Sequence, residues 1–153
     1  MGKGVKMNKE ILFRGKRVDN DEWAFGDLIA SKNKYYIHPQ GNSFQVDGVL
    51  SRLIVLYEVK SETVGQYTGL TDKNGKKIFE GDIVKVTDEI VGYDRLAFIE
   101  FGNPNRQYNW GWQLHPISSE PFAVDILHWV DAEESGAFIE VIGKIYDNKE
   151  LLR

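Results

Sequence analysis

The sequence predicts a mainly β fold with one short helix. Three observations carry this reading. The chain breaks into short runs of β-branched and aromatic residues, each bounded by Gly, Asn, Asp or Pro. Several of these runs alternate apolar and polar residues, which gives a half-buried strand one wet face and one dry face. An Asn74-Gly75 pair sits between two such runs, and Asn-Gly is the strongest short hairpin signal because both residues tolerate positive φ.

Taken in order, residues 1–9 read as a flexible lead-in. "ILFRGK" (11–16), "AFGDLIA" (24–30) and "NKYYIHP" (33–39) read as strands separated by polar turns. "QGNS" is a loop, "FQVDGVL" (44–50) alternates loosely, and "SRLIVLYEV" (51–59) is an apolar run of strand length that fits a buried helical turn equally well. "VGQYTGL" (64–70) and "KKIF" (76–79) flank the Asn-Gly turn, and Glu80-Gly81-Asp82 turns the chain into "IVKV" (83–86). "RLAFIEF" (95–101) and "YNWGWQLH" (108–115) are strands on either side of a turn-rich loop. Over 119–134 a short helix is expected, with Ser119 as its cap, Pro121 in its first turn, and Ala123, Ile126, Leu127 and Val130 buried. The competing reading there is a strand presenting Phe122, Val124 and Ile126. "SGAFIEVIGKIYDN" closes the fold with a strand and a turn.

Composition narrows the function classes. The 153 residues fit about one domain and bury a core without staples. There are no cysteines, so disulfide frameworks, thiol catalysis and cysteine-bound zinc all drop out. The formal charge of −4 argues against a protein that wraps nucleic acid through many phosphate contacts. No apolar run approaches the ~20 residues that span a bilayer, so no membrane role is expected.

Three stretches together resemble the YopX family of phage and prophage proteins: "LFRGKRVDNDEWAFGDLI", "YTGLTDKNGKKIFEGDIVKV" and "EVIGKIYDNKELL". The central block is the most specific of them. The resemblance implies an SH3-like small β-barrel, placed over 61–146 with a variable insertion at 102–139, a β-rich N-terminal extension over 10–60 and a tail at 147–153. It also implies self-association and a bacterial cytoplasm, and it brings no catalytic residue and no cofactor.

Chemistry-bearing constellations are few. Gly65, Gly69, Gly75 and Gly81 surround Lys76, but a phosphate loop needs Gly-Lys-Ser/Thr between a strand and a helix. Here Lys77 stands at the hydroxyl position, and the glycines read as turns. His38, His115 and His128 share no ligand spacing, and no metal site is expected. The acidic Asp131, Glu133 and Glu134 read as a solvated loop. Lys32 and Lys34 occupy one turn, and Lys73, Lys76 and Lys77 another. Arg106, Tyr108, Trp110 and Trp112 form an aromatic–basic stretch. The i, i+2 spacing of Trp110 and Trp112 places both on one strand face, and core packing is the expectation. If exposed, the same rings stack on unpaired bases or grip a proline-rich peptide.

The sequence therefore predicts a non-enzymatic, self-associating module that binds a host or phage protein. The candidate surface is Arg106, Tyr108, Trp110 and Trp112 with Lys73, Lys76 and Lys77. Two alternatives remain open: a nucleic-acid-binding accessory using the same residues, and a hydrolase using His115 or His128 beside a carboxylate.

Overall fold

The computed structural model describes residues 9–40, 55–106, 110–130 and 136–153. These residues form two antiparallel sheets and one α-helix, with no closed barrel among them. They fall into two compact units, one within 11–66 and the other within 67–153 together with residues 9 and 10. The segments 41–54 and 131–135, where the loose alternation, the first four residues of the "SRLIVLYEV" run and the acidic loop were read, lie outside the described residues.

In the first unit, β1 (Phe13–Lys16), β2 (Trp23–Ser31), β3 (Lys34–Pro39) and β4 (Tyr57–Val59) pair in the order β4-β3-β2-β1. Arg14 of β1 also pairs with Gly65, at the start of β5 (Gly65–Thr71). Alternation along β2 and β3 directs Ala24 and Ile37 inward, where they meet Val59. Phe13, Leu28, Tyr35, Tyr57 and Val64 pack around them. Beyond β1 the chain returns to β4: Lys60 N–H donates to Lys16 C=O at 2.8 Å, and Val18 N–H to Glu58 C=O at 3.0 Å.

In the second unit, the end of β5 pairs with β6 (Lys77–Phe79) across the Asn-Gly turn. Gly75 takes φ +79 there, a conformation that glycine adopts freely. Next come β7 (Asp82–Asp88), β8 (Tyr93–Gly102), β9 (Gly111–Pro116), α1 (Ile126–Val130) and β10 (Ala137–Lys144). The last sheet runs β10-β7-β8-β9. Its inner face presents Val84, Val86, Ala97, Ile99, Leu114, Ile139 and Val141; Leu70 and Ile78 come from the β5–β6 hairpin, and Ile126 and Trp129 from α1. Fully burying such a side chain contributes about 1.5–3 kcal/mol. The buried Trp129 meets its polar requirement through Nε1–H, which donates to Ala123 C=O at 2.7 Å.

The 119–134 reading needs correction. The helix occupies only Ile126–Val130 and buries Ile126 and Trp129, whereas Leu127 is 45% exposed. The stretch before it is extended: Asp125 bridges Gln113, and Leu114 N–H donates to Val124 C=O at 2.9 Å. Each competing reading thus holds for part of the segment, because a strand contact covers the β9 edge before the chain winds into its helix.

Candidate binding surface

The aromatic stretch lies at the open end of the β8–β9 ladder. Phe101 pairs with Trp112, and Gly102 with Gly111, where the ladder stops. Trp110 lies just beyond it. The Phe101 ring meets Trp112 at 4.8 Å and 60° and Trp110 at 6.4 Å and 84°, so both contacts are edge-to-face. This geometry sets the positive edge of one ring against the negative face of another. Phe101 is 53% exposed and Trp110 is 75% exposed, while Trp112 is half-buried against the rim of the core.

The core expectation therefore fails for Trp110 and holds in part for Trp112. Alternation fixes which face a side chain takes but not how far the opposing layer extends, and that layer ends before position 110. Phe101 is the member of the cluster that sequence reasoning missed. Its signal was present, since residues 97, 99 and 101 share one strand face, but a strand-terminal Phe reads as core.

Arg106 is exposed, with φ +53, and its N–H donates to Asn103 C=O at 3.2 Å. Asn105 holds the same loop against β9, donating from Nδ2 to Gln113 Oε1 at 3.2 Å and to Leu114 C=O at 3.0 Å. Tyr108 lies outside the described residues.

The three lysines share one turn, but two of them have carboxylate partners. Lys73 Nζ lies 3.3 Å from Glu140 Oε2, and Lys77 Nζ lies 2.8 Å from Glu10 Oε2. Lys77 also sits over the Tyr67 ring at 5.4 Å.

His115 does stand beside an acid: its Nδ1 is 2.9 Å from Glu100 Oε2, and its ring stacks on Phe98 at 4.5 Å. The pair is roughly half exposed on the outer sheet face (45% and 43%). His38 Nδ1 is 3.0 Å from Val55 C=O, and His128 packs edge-on to Trp129. Among the described residues no group of His, Asp and Glu side chains gathers in a metal-binding arrangement. Among the described residues no helix is long and apolar enough to cross a membrane.

The motif residues turn out to organise backbone. Asp72 Oδ1 accepts from the amides of Asn74 and Lys76, both at 2.9 Å, and Asp82 Oδ2 accepts from the Phe79 amide at 2.8 Å. Asn148 Oδ1 accepts from the Lys144 amide at 3.0 Å and leaves no room for a side chain at Gly143, whose Cβ would lie 2.6 Å from that oxygen. A family model described as "YopX protein" matches residues 12–153. The chain belongs to the YopX family. The aspartates, Asn148 and the glycines that carry the family pattern hold turns closed. Comparison with curated proteins finds none that matches. The chain is also similar to the crystal structure of protein EF1440 from Enterococcus faecalis, with a TM-score of 0.53 and 22% identity over 94% of this chain and 99% of that one. At that identity the likeness concerns the fold alone.

Proposed function

We propose that this YopX-family chain is a non-enzymatic, self-associating binding module of phage or prophage origin that works in the bacterial cytoplasm. In this reading, the Phe101–Trp110–Trp112 cluster is the surface through which copies meet. The observation that carries it is Trp110, which leaves 75% of its surface exposed while its ring is held edge-on against Phe101. Large aromatics of this kind are enriched at the centres of protein interfaces. The pairing of Lys73 and Lys77 with carboxylates favours a protein partner over a phosphate backbone. The half-exposed His115–Glu100 pair lies on an open sheet face, which favours a surface contact over acid–base catalysis. The same reading treats the second unit as an open relative of the SH3-like barrel, supported by the β5–β6 hairpin packing Leu70 and Ile78 over the four-stranded sheet.

The test is light scattering during size-exclusion. The wild type elutes as a multiple of 17.5 kDa and Trp110→Glu as a 17.5 kDa monomer. A wild type that stays at 17.5 kDa at high concentration overturns the proposal.

A further inference from the structure

The turn between β5 and β6 carries chemistry of its own. Of the asparagines in the chain, only Asn74 precedes a glycine. The side-chain amide carbon of an asparagine lies within reach of the next residue's backbone nitrogen, and a five-membered ring closes between them when the two are brought together. A side chain on that next residue hinders the closure. Here there is none, and a Cβ built at Gly75 would meet nothing within 4 Å. Asn74, Gly75 and Lys76 are all exposed, so water reaches the site.

The fold restrains this reaction through one residue. Asn74 N–H donates to Asp72 Oδ1 at 2.9 Å, and Gly75 N–H donates to Asp72 C=O at 3.0 Å. The peptide planes on both sides of Asn74 are thereby held. The nitrogen that must attack is committed as a donor, and its plane turns toward the Asn74 side chain only if that bond breaks. Asp72 is anchored in turn. It is buried, its Oδ1 also accepts from Lys76 N–H at 2.9 Å, and its Oδ2 accepts from Val141 N–H at 3.0 Å. The restraint on Asn74 therefore reaches back to β10.

We propose that Asn74 is a site of spontaneous deamidation, gated by opening of the Asp72 turn. In the open turn the Gly75 amide yields its proton to solvent, and its nitrogen bonds to Asn74 Cγ. The Cγ–Nδ2 bond breaks, and the side-chain nitrogen leaves as ammonia. Water then adds to one carbonyl of the cyclic imide and cleaves its C–N bond, giving aspartate or isoaspartate. Water is the one co-reactant, and nothing is oxidised or reduced. The product sets a new carboxylate among Lys73, Lys76 and Lys77. Its isoaspartyl form adds a methylene to the main chain of the turn that Asp72 ties to Val141.

The test incubates the full chain at mildly alkaline pH in ¹⁸O-labelled water and follows the Asn74 peptide by mass spectrometry. Folded wild type converts about tenfold more slowly than the same chain unfolded in guanidinium, because the reaction waits for a local opening. Asp72→Ala, confirmed as folded by circular dichroism, converts about tenfold faster than wild type, since the bonds that hold the turn are lost. Leu114→Ala, destabilised in the core and still folded, keeps the wild-type rate. Amide exchange in the wild type gives a second readout that needs no variant, and the Gly75 N–H is protected. The proposal is overturned if folded wild type converts as fast as the unfolded chain, or if the Gly75 amide exchanges without protection. It is also overturned if folded Asp72→Ala is no faster than wild type, or if Leu114→Ala speeds conversion equally.

Discussion

The carboxylate of Asp72 receives the backbone amide of Val141 at 3.0 Å, across 69 residues of sequence. Its other oxygen receives two amides of its own turn. One buried side chain therefore shapes the Asn-Gly hairpin and ties it to the edge of the last strand. Asp72→Ala leaves three donors without their acceptor, each with a desolvation cost of about 1–3 kcal/mol when water cannot replace it. Two of the three are near the surface, so the expected loss is about 3 kcal/mol, read as a lower urea midpoint at unchanged slope. Asp72→Asn retains one carbonyl acceptor and falls between the two.

The contact between Gly143 and Asn148 predicts a coupled pair. In Gly143→Ala the new Cβ would lie 2.6 Å from Asn148 Oδ1, so the amide must swing away and release the Lys144 N–H. A loss of about 1–3 kcal/mol is expected from the overpacking. In Gly143→Ala/Asn148→Ala the clash has no partner, so the double mutant loses less than the sum of the single ones. Urea denaturation of the four proteins measures the coupling.

Trp110 and Leu114 lie four residues apart and should differ in how much stability they carry. Leu114 is fully buried, and Leu114→Ala is expected to cost about 2–5 kcal/mol. Trp110→Ala removes an exposed ring and changes stability by about 0.5 kcal/mol or less, plus about 0.5–1.5 kcal/mol for its edge contact with Phe101. Thermal unfolding of the two variants separates a packing residue from an interface residue.

The surface pair Arg17–Asp19 sets an acid-side effect. A hydrogen bond from Arg17 holds the Asp19 carboxyl below its ordinary value of 3.8. The sign follows from that depression: the contribution is fully present above the ordinary value, and it fades as the pH falls through the lowered folded value. Asp19→Asn therefore matches the wild type most closely at strongly acidic pH and departs from it slightly near neutrality. Asp19 is exposed and Arg17 half-buried at the surface, so the effect is small and shrinks with salt. Paired urea titrations across that range measure it.

Local chemistry explains what could be read from the sequence. Asn74-Gly75 and Gly81-Asp82 announced their turns because φ preference and side-chain capping act over a few residues. Strands near 24–30, 64–70, 83–86 and 95–101 followed from alternation. What could not be read was non-local. Nothing adjacent to Asp72 indicates that it bonds Val141, and nothing adjacent to Trp110 shows that the covering layer stops short of it. The helix at Ile126–Val130 was diluted by the extended residues before it, whose conformation is set by the β9 edge. Phe101 was placed in its strand but not in the cluster, because cross-strand partners emerge only with the register.

The central claim, that copies meet through the Phe101–Trp110–Trp112 face, is tested most directly by disulfide trapping. The chain has no cysteine, so a single introduced thiol has no background. Arg106→Cys puts the thiol at an exposed position between Phe101 and Trp110 in the chain, and Asn74→Cys puts it in the hairpin turn as a control. Under mild oxidation the account predicts that Arg106→Cys forms a covalent dimer much faster than Asn74→Cys, and that adding Trp110→Glu removes the difference. Equal rates for the two thiols, or trapping unaffected by Trp110→Glu, would contradict it.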